Sequence, residues 1–74
     1  MTNEIRLFLQ KAGYDTESML ERGIYSNFRM ENGNVLYDVC SGDITGYTEE
    51  VRPDGSSRHC GFGQGCFWSD WEDK

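Results

Sequence analysis

The sequence lacks most of what a membrane protein, a nucleic-acid binder or a large enzyme requires. Its apolar runs are far shorter than the roughly 20 residues that a membrane-spanning helix needs. The opening residues Met1-Thr2-Asn3-Glu4-Ile5 carry neither the basic segment nor the apolar segment of a secretory leader. The expectation is a cytoplasmic protein. There is one histidine, and the three cysteines include no C-x-x-C pair. An odd cysteine count leaves one thiol over in an oxidising compartment, so the thiols are expected to be reduced or metal-bound. Basic residues are scarce, 7 against 13 acidic ones for a net charge of -6. Such a chain repels phosphate backbones, and its natural partner is a basic protein surface.

Length sets the next limit. A chain of 74 residues buries only about 60% of the surface that its unfolded form exposes. Its core is worth a net stability of roughly 3–5 kcal/mol. A deep catalytic cleft is not expected, and neither is enzymatic activity. The aromatic fraction of 14% is nonetheless too high for a disordered chain. The reading is one domain over residues 1–74, with a helical part at 1–23, an antiparallel sheet at 24–71 and an acidic tail at 72–74.

Two short helices open the chain. Thr2 or Asn3 supplies an N-cap, Ile5, Phe8, Leu9 and Ala12 repeat at the spacing of one apolar helix face, and Gly13 ends the run. Asp15 or Thr16 caps a second helix with Met19 and Leu20 facing inward and Gly23 at its end, although Ser18 and Glu21 also have capping-box spacing. From Ile24 the period becomes two. Asn32-Gly33 is a hairpin signal inside a strand pair over roughly residues 24–40. Ser41-Gly42-Asp43 turns into a third strand from Ile44 to Val51. Arg52-Pro53-Asp54-Gly55 turns into a fourth from Ser56 to Cys60. Residues 66–71 are a candidate fifth strand. The fold class is therefore α+β: a short N-terminal helical hairpin packed on an antiparallel meander of four or five strands. One sheet face lies under the helices and the other is at least half solvated.

Charge is distributed unevenly along this plan. Residues 1–30 balance Arg6, Lys11, Arg22 and Arg29 against Glu4, Asp15, Glu17 and Glu21, so the whole net charge falls in residues 31–74. The sheet half carries Asp43, Glu49, Glu50, Asp54, Asp70 and Glu72 interleaved with Trp68 and Trp71. Charged and aromatic side chains together suit a protein interface, and these eight are the expected partner-binding residues.

The alternative is a metal. Cys40, His59, Cys60 and Cys66 supply the count for a tetrahedral Cys₃His zinc site. Their spacing is poor, because neighbours on a strand point to opposite faces and no closely spaced cysteine pair exists. The same alternation separates His59 from Cys60 as a nucleophile and its base. A disulfide between Cys60 and Cys66, or from Cys40 to either, runs against cytosolic redox poise. Gly61-x-Gly63-x-Gly65 lacks the Lys-Ser/Thr of a phosphate loop and reads as a turn or bulge.

In size, acidity and aromatic content the chain resembles small phage-encoded proteins that block host defence or host enzymes, anti-CRISPR proteins included. The likeness is one of type and covers no motif. It implies a phage- or mobile-element-encoded inhibitor in the host cytoplasm, acting as a nucleic-acid mimic that occludes a basic nucleic-acid-binding surface. The chain would have no cofactor, and would be a monomer or a homodimer joined at an open sheet edge. The alternative is a small zinc-stabilised accessory module.

Overall fold

A computed structural model of the chain describes residues 1–40, 46–61 and 67–73. Helix α1 (Asn3–Lys11) begins where Thr2, in an extended conformation, accepts the Ile5 amide at 3.2 Å. That contact satisfies one of the first-turn donors that no helical carbonyl can reach. Glu4 in the first turn and Lys11 in the last complement the helix dipole. Helix α2 (Thr16–Arg22) is capped by Asp15, whose carboxylate accepts the Ser18 amide at 3.1 Å, and Gly23 closes it at φ 67°. The later start at Ser18 is not used. Thr16 and Met19 form the buried line of α2. Leu20, expected to face inward, is 48% exposed, because it lies about 100° further round the helix than Met19.

Among the described residues four strands follow in a meander, β1 (Tyr25–Glu31), β2 (Asn34–Val39), β3 (Tyr47–Val51) and β4 (Ser57–Gly61), hydrogen-bonded in chain order and antiparallel. Asn32 and Gly33 take φ values of 53° and 79°, the paired positive angles of the tight hairpin turn whose twist matches its strands. The expected start of the third strand at Ile44, and the turn at Ser41–Asp43, lie outside the described residues.

Strand β1 departs from strict alternation. Ser26 pairs with Asp38 and Arg29 with Leu36, so β1 holds one extra residue. Asn27 sits at φ 56° inside this bulge. The extra residue brings Tyr25 and Phe28 to the same face, where their rings lie 5.5 and 5.4 Å from that of Tyr37.

The core joins Ile5, Leu9, Ala12 and Met19 from the helices to Val35, Tyr37, Val39 and Val51 from the sheet. Residues 67–73 run beside the outer edge of β4. Ser57 and Glu72 exchange backbone hydrogen bonds of 3.0 and 2.7 Å, and the Ser69 amide donates to His59 at 2.8 Å. Of the expected fifth strand at 66–71 the described part forms no regular strand: one isolated bridge, Cys60 to Trp68, falls within it, and a second, Ser57 to Glu72, lies in the expected acidic tail.

Leu9 is fully buried at the centre of this core. Leu9→Ala is expected to destabilise the fold by about 2–5 kcal/mol, a large part of the roughly 4–11 kcal/mol typical of a chain of this length. Urea titration followed by tryptophan fluorescence should show the midpoint fall steeply or the folded baseline vanish.

Candidate functional site on the outer sheet face and C-terminal segment

The sheet face turned away from the helices is lined by Leu36 and Asp38 of β2, Thr48 and Glu50 of β3, and Arg58 and Cys60 of β4, as the strand register dictates. It is less open than expected, since Leu36, Thr48, Glu50 and Cys60 are all buried. Two carboxylates organise it. Asp38 accepts hydrogen bonds from Asn27 at 3.1 Å, Thr48 at 2.9 Å and Arg29 at 3.2 Å. Glu50 accepts from Asn34 at 2.9 Å and from Arg58 Nε at 2.7 Å, and the same guanidinium pairs with it through Nη2 at 2.7 Å.

Arg58 continues outward into an aromatic clamp. Its guanidinium carbon lies 4.4 Å from the Trp68 ring centroid and 4.7 Å from that of Trp71. Arg52 sits 3.6 Å over the other tryptophan partner of this clamp, Trp71. A cation over an indole face is attracted by the ring quadrupole, so both tryptophans are held by arginines. Trp68 stays 36% exposed and Phe67 is 84% exposed. Asp70, Glu72 and Asp73 beside them are exposed as well. Asp54, exposed in the turn between β3 and β4, accepts from the Ser56 amide and hydroxyl at 2.9 and 2.7 Å, bonds that hold its carboxyl below the ordinary value.

The eight expected contact residues therefore divide. Asp54, Trp68, Asp70 and Glu72 are exposed, and Trp71 is half-buried in the clamp. Asp43 lies outside the described residues. Glu50 is only 6% exposed and is bound to Arg58. Glu49, one residue away, is on the opposite face and accepts from the buried Tyr37 hydroxyl. Strand alternation forbids two adjacent acids from presenting one face, so these two do not form a common docking surface. Burial holds the Tyr37 phenol far above its ordinary range, and the bond to Glu49 and its negative charge push the same way. Phe67 is a candidate contact that the sequence reading missed. Its alternation with Trp68 in the candidate fifth strand was the available signal.

The zinc quartet does not survive as a set of free ligands. Cys60 is disulfide-bonded, which removes the thiolate that zinc requires. Cys40 is a free, exposed thiol, and Cys66 lies outside the described residues. Strands β2 and β4 are separated by β3, so Cys40 and Cys60 belong to the same end of the sheet but not to neighbouring positions. His59 is on the other face of β4, with Tyr47 at 5.7 Å and the Ser69 hydroxyl 3.4 Å from Nδ1. Among the described residues no group of three or more His, Cys, Asp or Glu side chains is placed to hold a metal. The disulfide also departs from the expectation of reduced thiols. Redox compartment governs whether sulfurs that meet are oxidised, but the fold alone decides which sulfurs meet. No helix among the described residues is long and apolar enough to cross a membrane. Comparison with protein-family models, with curated proteins and with solved structures finds no match in any of the three.

Two outcomes follow from this geometry. Burial pushes the Asp38 carboxyl up, but the hydrogen bonds from Asn27, Thr48 and Arg29 outweigh it and hold the group below its ordinary 3.8. A depressed folded value means that the network stabilises the protein fully above about pH 4 and loses that contribution as pH falls through the lowered value. Asp38→Asn should therefore cost about 1–2 kcal/mol at neutral pH, and the gap from the unsubstituted protein should narrow as pH falls through the lowered value in parallel urea titrations. Peptide mapping after brief alkylation of the native protein should find Cys40 modified and Cys60 unmodified. Equal labelling of both without a reductant would contradict the bonding described.

Proposed function

We propose that this chain is a small protein-binding inhibitor that docks its C-terminal segment on a basic surface of a nucleic-acid-handling enzyme or complex and occludes it. The observation that carries the reading is the exposed pair Phe67 and Trp68, 84% and 36% accessible, set beside the exposed acids Asp70, Glu72 and Asp73. An aromatic anchor already ordered by a cation loses little side-chain freedom on binding, and large rigid aromatics dominate interface energetics. The surrounding acids would steer association with a basic partner and fix its orientation. In this reading the chain performs no catalysis, uses no cofactor and acts in the host cytoplasm, as a phage- or mobile-element-encoded factor would. The acids of the contact surface are Asp54, Asp70, Glu72 and Asp73, in place of the sheet acids Glu49 and Glu50.

The test is a capture from nuclease-treated host lysate at low and moderate salt, using the unsubstituted chain, the triple variant Asp70→Lys, Glu72→Lys, Asp73→Lys, and Trp68→Ala. The expected result is one stoichiometric basic partner, lost as salt rises and lost with either variant while circular dichroism shows both still folded. The captured protein, once purified, should lose its nucleic-acid mobility shift when one equivalent of the chain is added. A partner held equally by the charge-reversed chain, or one that binds nucleic acid unhindered in its presence, would overturn the proposal.

A further inference from the structure

The helical part carries a second surface, independent of the C-terminal segment. Glu4, Leu7, Phe8 and Lys11 of α1 and Met30 of β1 line an open groove of about 310 Å³. Leu7 is 56% exposed and Met30 37%, so the apolar floor of this groove faces solvent. Its rim is charged with opposite signs at its two ends, Glu4 in the first turn of α1 and Lys11 in the last. Leu7 lies between them.

We infer that this face binds a second copy of the same chain, with α1 packed antiparallel against α1 of its partner about a two-fold axis near Leu7. A two-fold interface must be self-complementary, since whatever residue i offers to j is offered back by j to i. Antiparallel pairing centred near Leu7 sets Glu4 of each copy opposite Lys11 of the other and closes the two leucines over Phe8 and Met30. Charge placement agrees. Residues 1–30 sum to zero, with four acids and four bases, although the chain carries a net charge of -6. This surface therefore belongs to the part of the chain where two copies repel least. A domain this small also leaves apolar area over that association would cover.

The helix face is a better seat for a second copy than the sheet edge. Strand β1 is the edge of the meander beside α1, and its bulge between Ser26 and Arg29, with Asn27 at positive φ, interrupts the row of backbone groups that edge-to-edge pairing needs.

Sedimentation equilibrium of the full chain over micromolar to millimolar concentration tests this. The unsubstituted protein should pass from monomer to dimer mass. Leu7→Glu should raise the dissociation constant by more than about a hundredfold while leaving the circular dichroism spectrum unchanged, because the side chain is exposed in the monomer. Glu4→Lys and Lys11→Glu should each weaken the dimer by roughly three- to thirtyfold, as two symmetric rim pairs become repulsive. The double variant Glu4→Lys, Lys11→Glu should restore most of the affinity, with helicity measured alongside because the exchange opposes the helix dipole. Monomer mass throughout overturns the inference and leaves the groove to an unlike partner. A dimer that ignores Leu7→Glu, or single charge variants that the double exchange does not rescue, overturns it equally.

Discussion

The outer face of the sheet depends on two carboxylates that the chain places on its central strands. Asp38 on β2 reaches β1 through Asn27 and Arg29 and β3 through Thr48, and Glu50 on β3 reaches β2 through Asn34 and β4 through Arg58. Together they tie all four strands on the side that the helices do not cover. Neither helix covers that face, and its inward positions include the polar Asp38, Thr48 and Glu50, so among the described residues apolar packing alone does not close it. A polar network closes it only if each buried group finds a partner, because a half-satisfied network is worse than an apolar one. Among the described residues no buried side-chain nitrogen or oxygen lacks one.

This use of acids changes what the net charge means. Asp38, Glu49 and Glu50 are bonded within the fold, to arginine, asparagine, threonine and tyrosine side chains. They contribute to folding and little to any field felt by a partner. Asp70, Glu72 and Asp73, with Asp54 in the adjacent turn, remain exposed. The two arginines that hold the tryptophans, Arg52 and Arg58, are two of the three basic residues in residues 31–74. Two of the three cations of the acidic half thus lie against its tryptophans, Arg58 also pairing with Glu50, while the acids of the described C-terminal segment stay exposed. Internal pairing concentrates the effective charge in a smaller area than composition implies.

Local chemistry was legible in the sequence wherever one residue decides the outcome. Thr2 and Asp15 at the helix starts, Gly23 at a left-handed end and Asn32-Gly33 at the hairpin each satisfy a backbone need within a few residues. What failed were inferences that depend on which face a residue meets. Glu49 and Glu50 read as one acidic surface only if strand alternation is ignored, and that alternation sets them, like His59 and Cys60, on opposite faces. The bulge at Asn27 is not legible in the local sequence, because the Asn27 side chain is held by Asp38, eleven residues away. Leu20 fits the apolar pattern of α2 but lies beyond the stripe that a two-turn helix can bury. The disulfide of Cys60 depends on which sulfurs the fold brings together, and neither compartment nor any short-range pattern reports that. The C-terminal segment was legible as aromatic and acidic, but the arginine clamp required two strands and the segment to be assembled first.

The two proposed surfaces lie at opposite edges of one sheet. Helix α1 packs on β1 and β2, and the acidic aromatic segment runs beside β4, the far edge of the order β1-β2-β3-β4. Three strand spacings separate the outer strands by about 14 Å. Association through the α1 face would therefore leave β4 and its segment uncovered in both copies. A two-fold dimer built this way is bivalent for a basic surface, and the second contact on a partner with repeated or extended basic sites becomes intramolecular. Modest affinity at each segment would then suffice to hold an extended basic channel closed, which a single 74-residue domain with a small contact area is poorly sized to do alone.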